Sequence, residues 1–315
     1  VSPVVVNYGL DSLPGDGVRR AVSIGKFDGV HRGHSQVIDQ LRRMAGKAET
    51  TVITFDRHPH VTLRPGEAPL PIASDSQKVE LLAQAGISRV VVLPFDHELS
   101  SLSHEDFSRV VLAEGLSASV VLVGQDFRYG FGGAGTVETL RAEGDHWGFR
   151  VEGVEDFCQE EGERISSTMI RGHLEKGEVA EAAKLLGRYH AVRGEVGSGA
   201  RRGRELGYPT ANLSQPLEGL MPADGVYATI VTHRGIRYPA ATSVGVNPTF
   251  GELTESVVES HLLDEKIDLY GETIRVEFVE FIRGMRAFPS ADHLAAQMSA
   301  DEKVIRGIVK DVPGG

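Results

Sequence analysis

"SIGKFDGVHRGHSQVI" occupies residues 23–38; it opens as an apolar strand, runs through Gly25 and Gly33 with two histidines, and closes with helical spacing. A strand ending at Ile24, a glycine-containing turn and a helix starting near His31 put unpaired backbone N–H groups and the positive end of a helix dipole at the carboxyl edge of a sheet. That arrangement suits a phosphate chain. His31 and His34, three residues apart, share a helix face and can point together at phosphates, donating hydrogen bonds and, when protonated, charge. Gly25 and Gly33 would let a nucleotide lie against bare backbone. A single histidine in such a place would be an ordinary cap or packing residue. The full spacing G-x-F-D-G-x-H-x-G-H after an apolar strand is far more demanding.

Outward from this stretch, the first half pairs short apolar runs with helical ones. "RAVSIG" (20–25), "TTVITF" (50–55), "SRVVVLPF" (88–95) and "ASVVLVG" (118–124) read as strands. "HSQVIDQLRRMAGKA", "SDSQKVELLAQAG" and "SHEDFSRVVLAEG" have helical spacing, and the last two start on caps and stop at glycine. The pattern predicts a parallel sheet covered by crossover helices. After the helical runs "ISSTMIRGHLEKG" and "EVAEAAKLLGR" the period changes at about Tyr189. "YHAVRGEVG", "GVYATIVTH", "IRYPAATSVG", "VVESHLLD" and "ETIRVEFVEF" alternate with period two between glycine and proline turns, which predicts an antiparallel sheet curled into a small barrel. A closing helix begins near Ser290, with Leu294, Met298, Ile305 and Ile308 on one side. The expected domains are 1–186 and 187–315.

The totals agree with two folded domains in a chain of 315 residues. With 33 basic and 44 acidic residues the net charge is 33 − 44 = −11, which disfavours broad attraction to nucleic acid or anionic membrane, so any phosphate binding must be local. No apolar run approaches the ~18 residues of a membrane span, and the first residues lack the layout of a signal peptide; a cytoplasmic location is expected. Cys158 is the only cysteine, so no disulfide forms within the chain and no thiolate metal cluster is available.

The histidine motif resembles the H-x-G-H signature of nucleotidyltransferases, in the version carried by bacterial bifunctional riboflavin kinase/FAD synthetases. Five further segments carry the same likeness. "RISSTMIRG" (164–172) is similar to the second transferase signature, "GQDFRYGFGGAG" (124–135) to G-x-D-F-x-F-G with Tyr129 in the place of phenylalanine, and "FDRHPH" (55–60) to F-D-x-H-P. Gly130, Gly132 and Gly135 also satisfy G-x-G-x-x-G, but not directly between a strand end and a helix, so no dinucleotide fingerprint is read there. "GSGARRGRELGYPTANL" (197–213) resembles the riboflavin kinase G-x-P-T-A-N, and "VVESHLLD" (257–264) resembles V-E-x-H-x-L-D.

The resemblance implies a Rossmann-like nucleotidyltransferase domain followed by an antiparallel β-barrel riboflavin kinase domain with a closing helix. Riboflavin and ATP would give FMN in the barrel; FMN and ATP would give FAD and pyrophosphate in the α/β domain. It implies catalytic roles for His31, His34, Arg171 and Glu259, the last as the base for the ribityl hydroxyl. Gly25, Phe27, Asp28, Gly33, Ser166, Ser167, Thr168, Gly203, Arg204, Thr210 and Asn212 would bind ATP and its phosphates. Thr210 and Asn212 would also ligate Mg²⁺. Asp56, His58, Asp126, Phe127 and Arg128 would contact flavin. Without the resemblance Glu259 is a solvent-facing strand residue, Ser-Ser-Thr a helix cap, and Thr210 and Asn212 turn formers. Partners beyond these small molecules are not expected: no nucleic acid, no membrane and no obligate protein. Three rival functions stay open at this point, namely a transferase acting on another phosphate ester, a kinase with an inactive first domain, and a non-catalytic flavin sensor.

Overall fold

The computed structural model describes residues 3–56, 69–154, 164–197, 210–246, 256–263, 265, 267–310 and 312. Contacts between Cα atoms divide the chain into Val1–Ser166 and Ser167–Gly315.

The first unit is built on six parallel strands: β1 (Val5–Tyr8), β2 (Arg20–Ile24), β3 (Glu49–Phe55), β4 (Arg89–Leu93), β5 (Ala118–Gly124) and β6 (Arg150–Val154). Their order is β1-β4-β3-β2-β5-β6. Every residue of β2 is buried, and its Val and Ile side chains suit a strand covered on both faces. Connections run from β2 outward to β3 and β4 on one side and to β5 and β6 on the other. A crevice therefore opens past the carboxyl ends of β2 and β5, the switch point where doubly wound sheets receive ligands.

The covering helices are α1 (Arg32–Ala45), α2 (Asp75–Gln84), the short α3 (His97–Ser101), α4 (His104–Asp106) and α5 (Val137–Trp147). Ser74 and Gln77 form a capping box at the start of α2, and Gly148, left-handed at φ 83°, ends α5. The run expected as one helix over 103–115 makes a single α turn and continues as a π-helix over Phe107–Gly115. Phe107, Val111, Leu112 and Leu116 thereby all reach the same core, a spacing that i→i+5 turns bring to one side.

In the second unit α6 (Ser167–Glu175) and α7 (Val179–Leu186) precede a closed barrel. Its strands are β7 (His190–Gly197), β8 (Ala211–Leu213), β9 (Gly225–His233), β10 (Ile236–Val246), β11 (Ser256–Leu262) and β12 (Thr273–Arg283), ordered β10-β11-β8-β7-β12-β9. α8 (Ala291–Val309) starts on a Ser290 cap. Its Ile305 and Val309 pack with Ala228, Ile230 and Val279 of the barrel wall. Asp301 fixes the helix in place by accepting from the Arg283 Nη2 at 2.8 Å and the Gln297 Nε2 at 2.6 Å. The division by contacts falls twenty residues before the boundary expected at 187, because α7 packs on β7 and β12.

Candidate active sites

In the first unit the chain leaves β2 through a turn of unusual conformation. Phe27, Gly29 and Val30 have φ of 47°, 75° and 41°, left-handed values that a β-branched valine adopts only under constraint. The constraint is visible in three hydrogen bonds. Gly25 N donates to Ile53 O at 3.0 Å, Thr54 Oγ1 to Lys26 O at 3.0 Å, and Ile72 N to the Asp28 Oδ1 at 2.8 Å. The turn delivers His31 as the N-cap of α1, where its Nδ1 accepts from His34 N at 3.4 Å. The two imidazoles stack with centroids 3.7 Å apart, and Phe27 tilts against His34 at 5.0 Å. Two glycines make room for these rings. A Cβ on Gly25 would lie 3.1 Å from the Phe27 ring, and one on Gly33 would lie 3.2 Å from the His31 ring. The paired histidines are thus pre-set at a helix N-terminus, with one face of each ring committed to the other.

Two cavities flank Lys26. One, about 220 Å³, is lined by Asp28, Asp56, Ser74, Asp75 and Lys78. Lys78 is buried, donates to Phe55 O at 3.0 Å and pairs with Asp75 at 3.0 Å; the Asp56 Oδ1 accepts from Phe95 N at 3.0 Å. The other cavity, about 480 Å³, lies at the β2/β5 switch point. It joins Gly25 after β2, Phe55 at the end of β3, Phe95 after β4, and Asp126, Phe127, Arg128 and Tyr129 after β5. An aromatic, mostly apolar wall with a few polar groups is what a flat heterocycle requires. Asp126 is exposed and meets Arg164 at 3.4 Å.

Tyr129 shapes this wall. Its ring lies parallel to Phe127 at 5.5 Å, and its hydroxyl donates to Glu143 Oε2 on α5 at 2.6 Å. Glu143 also accepts from the buried Ser108 hydroxyl and meets the His104 Nδ1 at 2.6 Å. Burial and the hydrogen bond to Glu143 push the Tyr129 phenol far up, so it stays a donor. Lys26, Phe95 and Glu143 have no role assigned by the sequence motifs, whereas Phe55 opens the F-D-x-H-P match. Glu143 in particular stands outside every motif.

Ser166 closes the first unit; Ser167, Thr168 and Arg171 belong to the first turns of α6, whose N-terminus begins the second. In the barrel, Glu259 on β11 pairs in register with Asn212 on β8 and Ser243 on β10. The Asn212 Nδ2 donates to Thr210 Oγ1 at 3.2 Å, which turns the amide toward its neighbour and assigns its oxygen the acceptor role. Burial alone pushes the Glu259 carboxyl above the usual glutamate range. A half-buried carboxylate with a hydroxyl and an amide beside it offers hard oxygen donors, the set that suits Mg²⁺. Among the described residues no group of three or more His, Cys, Asp or Glu is placed to hold a metal. His58, Gly203 and Arg204 lie outside the described residues.

Two family models match the chain: FAD synthetase over residues 16–169 and riboflavin kinase over 186–309. A bifunctional riboflavin kinase/FMN adenylyltransferase of Escherichia coli (strain K12) is 35% identical over 303 residues, covering 95% of each chain. One of Listeria monocytogenes is 33% identical over 292 residues, covering 92% of each. A solved Streptococcus pneumoniae chain described as a macrolide-efflux protein is 33% identical, with a TM-score of 0.86 over 96% of this chain and 99% of its own. No helix among the described residues is long and apolar enough to cross a membrane.

Proposed function

Since the chain belongs to the bifunctional riboflavin kinase/FMN adenylyltransferase family, we propose how its own residues divide the two reactions of flavin cofactor synthesis. The observation that carries this division is the match of two family models to separate stretches of the chain, FAD synthetase over 16–169 and riboflavin kinase over 186–309.

In the barrel the nucleophile is the terminal ribityl hydroxyl of riboflavin. An alcohol must lose its proton as it attacks the γ-phosphorus of ATP, and Glu259 accepts that proton while ADP leaves. A raised carboxyl pKa makes Glu259 a better proton acceptor than an ordinary glutamate. Thr210 and Asn212 would hold Mg²⁺, which when bound neutralises charge on the nucleotide phosphates. Gly203 and Arg204 complete the grip on those phosphates.

In the first unit the nucleophile is the phosphate of FMN, whose second pKa near 6 leaves it largely dianionic at neutral pH. No base is needed. The bond to the α-phosphorus forms as pyrophosphate departs, so alignment and stabilisation of negative charge do the chemistry. His31, His34 and Ser166 would meet the triphosphate, with Gly25, Phe27, Asp28 and Gly33 setting the turn around it; Ser167, Thr168 and Arg171, on α6, carry the motif that resembles the family's second phosphate signature. The 480 Å³ cavity, with Asp126, Phe127 and Arg128 in its wall and Asp56 beyond Lys26, receives the flavin. His58, in the motif that resembles F-D-x-H-P, would contact the flavin as well. A cytoplasmic location fits both reactions, which consume ATP.

The test is incubation with riboflavin, ATP and Mg²⁺ and chromatographic separation of the coloured products. FMN followed by FAD is expected. FMN without FAD would mark an inactive first unit, and bound riboflavin with no ATP consumed would make the chain a sensor.

A further inference from the structure

The second unit carries a groove of about 960 Å³ beside the α7–β7 connection, and none of the candidate site residues lines it. Strand register explains its charge. Arg275 on β12 stands directly opposite Arg193 on β7 and Thr232 on β9, and Thr232 stands opposite Arg237 on β10. One row across four strands thus carries three arginines, in a chain whose net charge is −11. Like charges opposite one another on a sheet are destabilising unless something offsets them.

Part of the offset is internal. Glu277, two residues along β12, spans two guanidiniums, with its Oε2 3.0 Å from Arg237 Nη2 and its Oε1 3.3 Å from Arg275 Nη2. Arg193 pairs with Glu218. Arg188 brings a further guanidinium to the groove, tethered through Nη1 to Leu186 O at 3.4 Å. Burial first, then the charge of Arg275, draws the Arg188 pKa down to about 10. The Arg275 Nε is buried with no hydrogen-bond partner among the described residues. Of the cations in the described lining, Lys184 is paired with Glu181 at 2.6 Å, which leaves Arg188, Arg237 and Arg275 beside two carboxylates, Glu277 and Glu280, an excess of 3 − 2 = 1. Arg237 is six residues along β10 from Ser243, the neighbour of Glu259, so the groove is roughly 20 Å from the kinase base at ~3.4 Å per residue.

We propose that this groove is a binding site for a phosphate-bearing ligand, its phosphate gripped by Arg188, Arg237 and Arg275. Planar guanidinium forks match phosphate oxygens in pairs, and a phosphate would relieve the crowding of like charge. The volume is too large for a lone phosphate and falls in the ~300–1,000 Å³ range of small-molecule sites. The apolar strip of Ala180, Ala183, Tyr189 and Ile308 beside the arginines receives the organic body of a phosphate ester. That class includes FMN and adenine nucleotides.

Arginine modification by phenylglyoxal on the full chain, mapped by mass spectrometry, tests the site. The probes are pyrophosphate, FMN, a non-hydrolysable ATP analogue, and riboflavin, which has the flavin body and no phosphate. Reaction at Arg188, Arg237 and Arg275 slows at least about tenfold with one or more phosphate-bearing probes and stays unchanged with riboflavin. Protection by FMN alone identifies the product as ligand; protection by the nucleotide analogue alone identifies the co-substrate; protection by pyrophosphate shows that phosphate suffices. Equal reactivity of all three arginines with every probe overturns the proposal. As a second measurement, the Arg237→Gln/Arg275→Gln variant binds one fewer protecting ligand per chain by calorimetry, and an unchanged stoichiometry is equally fatal. If that variant does not fold, the protection experiment on the unmodified chain decides alone. Neither result depends on whether FMN or FAD is made.

Discussion

Replacing Glu143 by alanine isolates the network behind the wall proposed to receive flavin. Its carboxylate accepts from Tyr129 Oη at 2.6 Å and from the fully buried Ser108 hydroxyl. Both donors lose their partner in the variant, and each buried unsatisfied group costs about 1–3 kcal/mol, giving roughly 4 kcal/mol in all. His104 is 30% exposed at its side chain and can rehydrate, so its lost contact adds little. For a domain of this size ~1 kcal/mol moves Tm by about 2–4 °C, which places the shift at roughly 8–16 °C. Tyr129, released from its anchor, no longer holds its ring parallel to Phe127, so the KM for FMN in FAD synthesis rises while the KM for riboflavin is unchanged. Scanning calorimetry of the full chain and separate assays of the two reactions provide the readouts. Tyr129→Phe keeps the ring and removes one donor, so the double variant should lose less than the sum of the singles, with a coupling of about 1–3 kcal/mol. A Tm drop below about 2 °C for Glu143→Ala, or equal changes in both KM values, would refute the reasoning.

Glu259→Gln should lower riboflavin phosphorylation by about 10²–10⁴-fold and leave FAD formation from supplied FMN intact; in the unmodified chain phosphorylation should rise with pH through the raised carboxyl pKa. The sign for stability is opposite. Burial raises this carboxyl above its ordinary 4.5, so its contribution to stability is full below that value and is lost as pH climbs through the folded pKa; denaturation above that range should find Glu259→Gln the more stable chain. Gly33→Ala gains helix propensity of ~1 kcal/mol but sets a methyl 3.2 Å from the His31 ring, so FAD synthesis should fall at least about tenfold with Tm nearly unchanged, measured against an unaltered kinase rate. Asp301→Ala strips the partner from Arg283 and should destabilise the barrel by about 2–3 kcal/mol in urea, below the ~3–5 kcal/mol of a fully buried pair because Arg283 is partly exposed.

The parallel strands β2 to β5 were legible because strands buried on both faces must be continuous runs of Val, Ile and Leu. β1 and β6 were not, being the sheet edges; β1 has four residues and Glu152 and Gly153 interrupt β6. β8 has three residues, too few to show a period. The histidine pair was legible as a helix entry, with α1 beginning at Arg32 and His31 as its cap. Its stacking was not, since that depends on the left-handed turn at Phe27 to Val30. Glu143 escaped notice because its partners lie 14, 35 and 39 residues away and only the packing of three segments brings them together. The arginine row was hidden for a similar reason: Arg237 and Glu277 are 40 residues apart, and antiparallel register is what joins them.

Helix α6 has a consequence for any attempt to cut the protein in two. Arg171, whose motif resembles a transferase signature, rides on a helix that shares its apolar contacts with α7 and, through it, with the barrel wall. A fragment stopping at 166 forfeits that guanidinium, whereas one stopping at 186 removes β7 and β12, on which α7 with its buried Val179, Leu185 and Leu186 packs. If Arg171 serves as proposed, scissors placed at either position would damage the adenylylating half, so a gene encoding that half alone would need a replacement for the surface that β7 and β12 give α7.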